Sequence, residues 1–222
     1  MKFSKILMVC VVCVPLSSMA QQELSTQKQK VSYAVGVSIA QRVQQNIDID
    51  VDALTLAIRD VLAGEGSKMT PDEIQATLEE ERRKIGEIQA AIAEKSKQAG
   101  EIFLAENMEK EGVMQTDSGL QYMVIEEGSG KSPAETDTVV VHYRGTLIDG
   151  TEFDSSFKRN TPATFPVNGV IQGWQEGLQL MKVGATYQFY IPSGLAYGEK
   201  GAGGAIGPNQ TLIFKVELQE IK

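Results

Sequence analysis

Val139-Val-Val-His-Tyr-Arg-Gly-Thr-Leu-Ile-Asp-Gly-Thr-Glu-Phe-Asp-Ser-Ser156 is the stretch whose reading decides the fold. Its first half is rich in β-branched and aromatic residues, the composition of a half-buried strand. Asp149-Gly150 supplies a turn, because glycine takes the left-handed backbone of a tight hairpin without steric cost. The chain then emerges with an aromatic ring beside a carboxylate, Phe153-Asp154. Two blocks follow, Val170-Ile-Gln-Gly-Trp174 and Leu195-Ala-Tyr-Gly198, and the chain closes on Thr211-Leu-Ile-Phe-Lys-Val-Glu-Leu218. Upstream, alternation with period two begins at Leu120-Gln-Tyr-Met-Val-Ile125, which marks the start of a sheet domain. Val139, Val141, Leu178, Leu212, Val216 and Leu218 are its expected core.

Before the sheet the pattern is helical. Val31, Val35, Ile39 and Val43 share one helical stripe, with small residues Ala34, Gly36 and Ala40 nearby. Asp50 is a candidate N-cap for a second helix whose Leu54, Ala57, Ile58, Val61 and Leu62 keep helical spacing. Gly64-Glu-Gly66 ends it through a left-handed cap. Thr70-Pro-Asp-Glu73 opens a third helix, with Thr70 as cap, Pro71 at the first helical position and Glu73 completing a capping box. This helix predicts a length of about forty residues, or about 60 Å. Leu78, Ile85, Ile92 and Ala99 recur every seventh position on a charged surface, so its middle is expected to be an exposed strut, with Gly86 and Gly100 as bends.

The 222 residues carry a net charge of −8, which argues against a nucleic-acid partner, since phosphate binding needs a basic patch. Lys2 and Lys5 precede an apolar run, Ile6 to Leu16, and Ser18-Met-Ala20 has the form of a signal-peptidase site. The run is too short for a permanent membrane span. Residues 1–20 are therefore expected to be a cleaved leader that carries away Cys10 and Cys13. The mature chain would then lie in a bacterial periplasm, with association at the outer-membrane surface as a second location. Val9 and Val12, preceding the cysteines, do not suit lipid modification. The lone His142 has no partner for a metal site and reads as a structural strand residue. Gly130-Lys-Ser132 lacks the glycine a phosphate-binding loop requires and reads as a hairpin loop.

Across five separated segments, the blocks from Val139 to Leu218 resemble the FKBP family of peptidyl-prolyl cis-trans isomerases. The whole layout is similar to its exported macrophage infectivity potentiator subgroup. The resemblance implies an α+β chain: a helical dimerisation module (21–69), a long connecting helix (70–112) and an antiparallel half-barrel wrapped on a short helix (113–222). It implies that Trp174 is the floor of a proline pocket walled by Tyr143, Phe153, Val170, Ile171 and Phe214. The Ile171 N–H would hold one substrate carbonyl and the Tyr197 hydroxyl another. Asp154 would pair with Tyr143 at the rim or polarise the twisting amide, and Ile206 would close over the substrate from a Gly201–Gly207 flap.

Two positions depart from the small single-domain members. A pocket-wall Phe falls on Ala163 and a flap His on Ala202, which opens the groove and bears on macrolide affinity. The resemblance implies no cofactor. It implies proline-containing unfolded or exported polypeptides as substrates, macrolides of the FK506 class as inhibitors, and a homodimer through the N-terminal helices. The function implied is folding assistance by prolyl isomerisation; the alternative is a dimeric holdase with isomerisation secondary.

Overall fold

The computed structural model describes residues 24–43 and 49–222; the expected leader, with Cys10 and Cys13, lies outside them. The chain forms two compact units, one ending at Thr70 and one running from Pro71 to Lys222.

The first unit holds α1 (Gln27–Val43) and α2 (Val51–Ala63). Thr26 and Gln29 form a reciprocal cap at the start of α1: Thr26 Oγ1 accepts from the Gln29 N–H at 3.2 Å, and Gln29 Oε1 accepts from the Thr26 N–H at 2.9 Å. Asp50 caps α2 as expected, accepting from the Ala53 N–H at 2.9 Å. Gly64, at φ 74°, closes it in the left-handed conformation. The apolar stripes find little cover here. Val31 and Val35 are 53% and 55% exposed, and Val61 and Leu62 are 66% and 83% exposed.

The second unit opens with α3 (Pro71–Met108), which has Pro71 at its first position. It runs unbroken through both glycines that were expected as bends. Gly86 faces open space, whereas Gly100 is buried, and a Cβ there would lie 2.4 Å from Thr211 Oγ1. Glycine stands at 100 for close packing. The seven-residue series is not the packed seam either: Leu78 and Ile92 remain more than 40% exposed. The helix docks instead through Ala93, Ser96, Gly100, Phe103, Leu104 and Asn107. Apart from Phe103 and Leu104 that stripe is small or polar, so a search for apolar periodicity passes over it.

Seven strands follow: β1 (Val113–Gln115), β2 (Gln121–Glu126), β3 (Thr138–Leu147), β4 (Glu152–Ser155), β5 (Ala163–Pro166), β6 (Thr186–Ile191) and β7 (Leu212–Ile221). They make one antiparallel sheet in the order β1-β2-β6-β7-β3-β4, with β5 also on β3. The order makes the Gly130-Lys-Ser132 segment a crossover rather than a hairpin loop. It is held by bonds between Gly130 and Val183 and between Val183 and Lys131.

β3 and β7 pair from Val139↔Ile221 to Leu147↔Leu212 and form the spine of the sheet. α4 (Gln172–Leu180) lies on its inner face. Gly173 and Gly177 let it approach β6, where an added Cβ would meet Ile191 at 2.4 Å and Phe189 at 2.7 Å. All six predicted core residues are buried, from Val139 to Leu218. Burying each such side chain contributes about 1.5–3 kcal/mol.

Polar groups stitch α3 to this sheet. Asn107 Nδ2 donates to Gln121 Oε1 at 2.9 Å, and Gln121 Nε2 donates to the Leu104 carbonyl at 2.9 Å and to Gln115 Oε1 at 3.1 Å. Both residues are almost wholly buried. They satisfy each other, as buried amides must.

Candidate active site

Period-two alternation sends Tyr143 of β3, Phe153 of β4, Phe165 of β5 and Phe214 of β7 to the same concave side, where α4 brings Trp174. Together with Asp154, Val170, Ile171, Tyr197, Ala202 and Ile206 they line a groove of about 720 Å³. Trp174 is 4% exposed and is gripped edge-to-face by three rings. Tyr143 lies 5.3 Å away at 87°, Phe214 5.2 Å at 82° and Phe165 5.9 Å at 90°. Gly145 is a further requirement of the wall, since a Cβ there would stand within 2.7 Å of the Phe153 and Phe214 rings.

Nine of the ten residues expected from the sequence line this one groove. Ala163 does not. It packs against the core from the start of β5, opposite Val141. Phe165, two positions further along the same strand face, provides an aromatic wall that the sequence reading passed over. The alternation through Ala163-Thr-Phe165 places both on one face, and packing decides that Phe165 reaches the slot. His142 lies off the groove, stacked on Phe157 at 4.7 Å and bonded to Ser156 Oγ at 2.9 Å.

The rim is electrostatically organised. Tyr143 donates its hydroxyl hydrogen to Asp154 Oδ2. Asp154 Oδ1 accepts from Arg159 Nη1 at 2.5 Å and from the Ser155 N–H at 2.8 Å. Arg159 Nη2 also reaches the Tyr143 oxygen at 2.8 Å, and its guanidinium lies 5.7 Å over the Tyr143 ring. Partial burial opposes ionisation of Asp154, but bonds from Tyr143 and Arg159 and the Arg159 charge outweigh it. They hold the carboxyl below the usual carboxylate range. Burial pushes the Tyr143 hydroxyl up, its bond to Asp154 adds to this, and Arg159 pulls the other way. Nothing in the sequence marked Arg159, because its role depends on the loop after β4 folding back on the rim.

Three donors at the groove have no protein acceptor among the described residues: the Ile171 N–H, the Tyr197 hydroxyl and the buried Trp174 Nε1. Ile171 caps α4, and its carbonyl accepts from Trp174 and Gln175 at 2.9 and 3.0 Å while its own N–H stays unpaired. The helix N-terminus adds partial positive charge there. Gln175 Nε2 fixes the preceding turn by donating to the Val170 carbonyl at 2.7 Å. Tyr197 keeps its hydroxyl unpaired and is 41% exposed. Above them the flap is a miniature hairpin, with Ala202 and Ile206 exchanging backbone bonds of 2.8 and 3.0 Å and Ile206 turned in to 8% exposure. An aromatic slot with a fixed carboxylate and free donors suits a neutral, ring-bearing ligand that offers carbonyl oxygens.

Two family models match this chain. Residues 129–219 match FKBP-type peptidyl-prolyl cis-trans isomerase, and residues 28–124 match the domain amino terminal to FKBP-type peptidyl-prolyl isomerase. The chain is 45% identical to peptidyl-prolyl cis-trans isomerase Mip of Coxiella burnetii, across 91% of this chain and 90% of that one. It is 40% identical to outer membrane protein MIP of Legionella longbeachae, across 90% and 88%. The crystal structure of FkpA from Escherichia coli superposes with a TM-score of 0.65 at 36% identity, covering 90% of this chain and 99% of that one.

Proposed function

Because the chain belongs to the family of FKBP-type peptidyl-prolyl cis-trans isomerases and is an enzyme of that type, we propose that the aromatic groove catalyses by favouring the twisted X-Pro amide. Rotation about this bond crosses a barrier of about 18–20 kcal/mol, since it breaks amide resonance. Unaided it takes tens to hundreds of seconds. The reaction makes and breaks no covalent bond, so catalysis is differential binding of the twisted amide.

Each residue then has a task. The proline ring rests on Trp174 between Tyr143, Phe153, Val170, Ile171, Phe165 and Phe214, which strip water from the ground-state amide dipole. The Ile171 N–H receives one substrate carbonyl and the Tyr197 hydroxyl another. Asp154, ionised and held by Arg159, faces the twisting amide with a fixed charge that needs no reorganisation during the reaction. Ile206 covers the bound segment. The single observation that carries this is the convergence of three unpaired donors (the Ile171 N–H, the Tyr197 hydroxyl and Trp174 Nε1) and one clamped carboxylate on a slot floored by Trp174.

Asp154→Ala is expected to lower kcat/KM on a short prolyl peptide about tenfold or more, equivalent to about 1.4 kcal/mol of barrier. Tyr197→Phe should lose less. Unchanged turnover in both variants would overturn these roles.

Around this chemistry we place a homodimer joined through the N-terminal helices, supported by the exposed stripes on α1 and α2. Residues 70–112 act as the connecting strut and 113–222 carry the isomerase chemistry. Export of a chain freed of its first twenty residues is supported by the Lys-flanked apolar run and by the name of the Legionella relative. The intact mass of protein from the exported fraction tests this. Proline-containing polypeptides are the substrates, and folding of exported proteins is the task. The long helix α3 and the N-terminal helical module keep the dimeric holdase as a second reading: suppression of aggregation that survives Asp154→Ala would favour it.

A further inference from the structure

The flap touches the groove at its tip, while its stem is held by the Asn209 N–H donating to the Gly198 carbonyl at 2.9 Å and, through its side chains, by α3. Gly201, Gly203 and Gly204 all have positive φ, and the tip's backbone bonds are those between Ala202 and Ile206. The stem, Asn209 to Thr211, leads straight into β7 at Leu212. Its three consecutive side chains all address α3. Asn209, itself at φ 53°, directs Nδ2 to the Ala93 carbonyl at 3.4 Å. Gln210 Nε2 donates to Ser96 Oγ at 3.0 Å. Thr211 is buried, with its hydroxyl on the bare face of Gly100, where a Cβ would come within 2.4 Å. Positions 93, 96 and 100 share one helical face.

We propose that this face of α3 is a positioning element of the isomerase site, fixing the flap stem and through it the depth at which Ile206 covers the groove. The proposal rests on the groove being the site of isomerisation. Ile206 lies three residues from Asn209, and its backbone is tied to Ala202, so a shift of the stem carries the tip with it. Ser96, Gly100, Gln210 and Asn209 touch no substrate. Their effect passes through the flap.

Gly100→Ala in the full chain forces the Thr211 side chain away from the helix. KM for a short prolyl peptide is expected to rise about three- to tenfold with kcat little changed, because covering the substrate is binding shared by ground and transition states. Amide exchange at Ala202 and Ile206 should quicken, while Val141 and Val216 in the spine of the sheet keep their protection. Gly100→Ala combined with Thr211→Ala should restore both, since the clashing hydroxyl is gone. Gly86→Ala, on the same helix in open space, should change neither.

If Gly100→Ala fails to fold, Ser96→Ala and Gln210→Ala, which delete one hydrogen bond, are expected to give the same split to a smaller degree. Wild-type KM and wild-type flap exchange in these variants overturn the proposal. So does a uniform loss of protection across β3 and β7, the mark of plain destabilisation. Asp154→Ala, measured alongside, separates the two ideas. If it leaves turnover unchanged the groove assignment fails, while flap exchange still reports on the α3 contact.

Discussion

Asp154 and Arg159 stand five residues apart, yet only the loop after β4 brings them together on the rim. The pair sets a pH expectation. Asp154 has a folded pKa below its ordinary value, so it is ionised, and the rim network complete, throughout the range above about pH 4. Stability from this group is present above its unfolded value and disappears only as pH falls through the lowered folded value. Removing the cation should shift the acid limb upward. Arg159→Gln is expected to move the acid limb of kcat/KM toward the ordinary carboxylate range, with little effect near pH 7.5, as measured on a short peptide between pH 3 and 8. A limb that stays in place would mean the carboxylate is not the group that the profile reports. At this scale most of the groove was legible through the family resemblance, whose aromatic positions this sequence matches in type and order. Ala163 and Phe165 mark where it fell short: both face the same way, and only packing decides which reaches the slot.

α3 docks by a face that its apolar periodicity does not mark. Leu78 and Ile92 of its apolar heptad stay exposed, and its docking face includes Ser96, Gly100 and Asn107. A chain cut at Val113, the natural break in the sequence pattern, would strip Gln121 of its bonds to Asn107 and the Leu104 carbonyl. The cut would also uncover Tyr190, on which Phe103 packs at 6.0 Å, and the buried Thr211 beside Gly100. A chain starting at Val113 is therefore expected to melt well below one starting at Pro71, the start of the compact unit, in a calorimetric comparison. Asn107→Ala in the full chain should cost about 1–3 kcal/mol in denaturant titration with peptide turnover retained. Equal melting of the two truncated chains would refute the stitched helix.

In the whole molecule, the 24–70 segment has helices whose apolar side chains lie largely in solvent. Domains under about 70 residues rarely close a core without disulfides, metal or a second copy. A homodimer is the expected outcome, checked by light scattering at micromolar concentration; a monomer there would refute it. Two isomerase units joined in this way would engage one unfolded chain with an avidity that a single unit lacks. The chain from Pro71 to Lys222 is accordingly expected to keep turnover on short peptides and to refold a proline-limited protein several-fold more slowly than the full chain. Equal refolding would remove the avidity argument.

Helix starts and stops at Asp50, Gly64 and Pro71 and the strands at Leu120–Ile125, after Val139 and after Thr211 followed from the sequence, because caps, turns and period-two faces are local consequences of residue type, while the aromatic groove followed from the family resemblance. The order of strands, the crossover at Gly130, the clamp of Arg159 on Asp154 and the seat of Thr211 on Gly100 were decided only by tertiary structure. Each of these depends on two segments remote in sequence or on a folded-back loop meeting at one distance. Small and polar residues make such meetings without leaving any periodic trace, since what selects them is the space and the hydrogen-bond partner that the other segment provides.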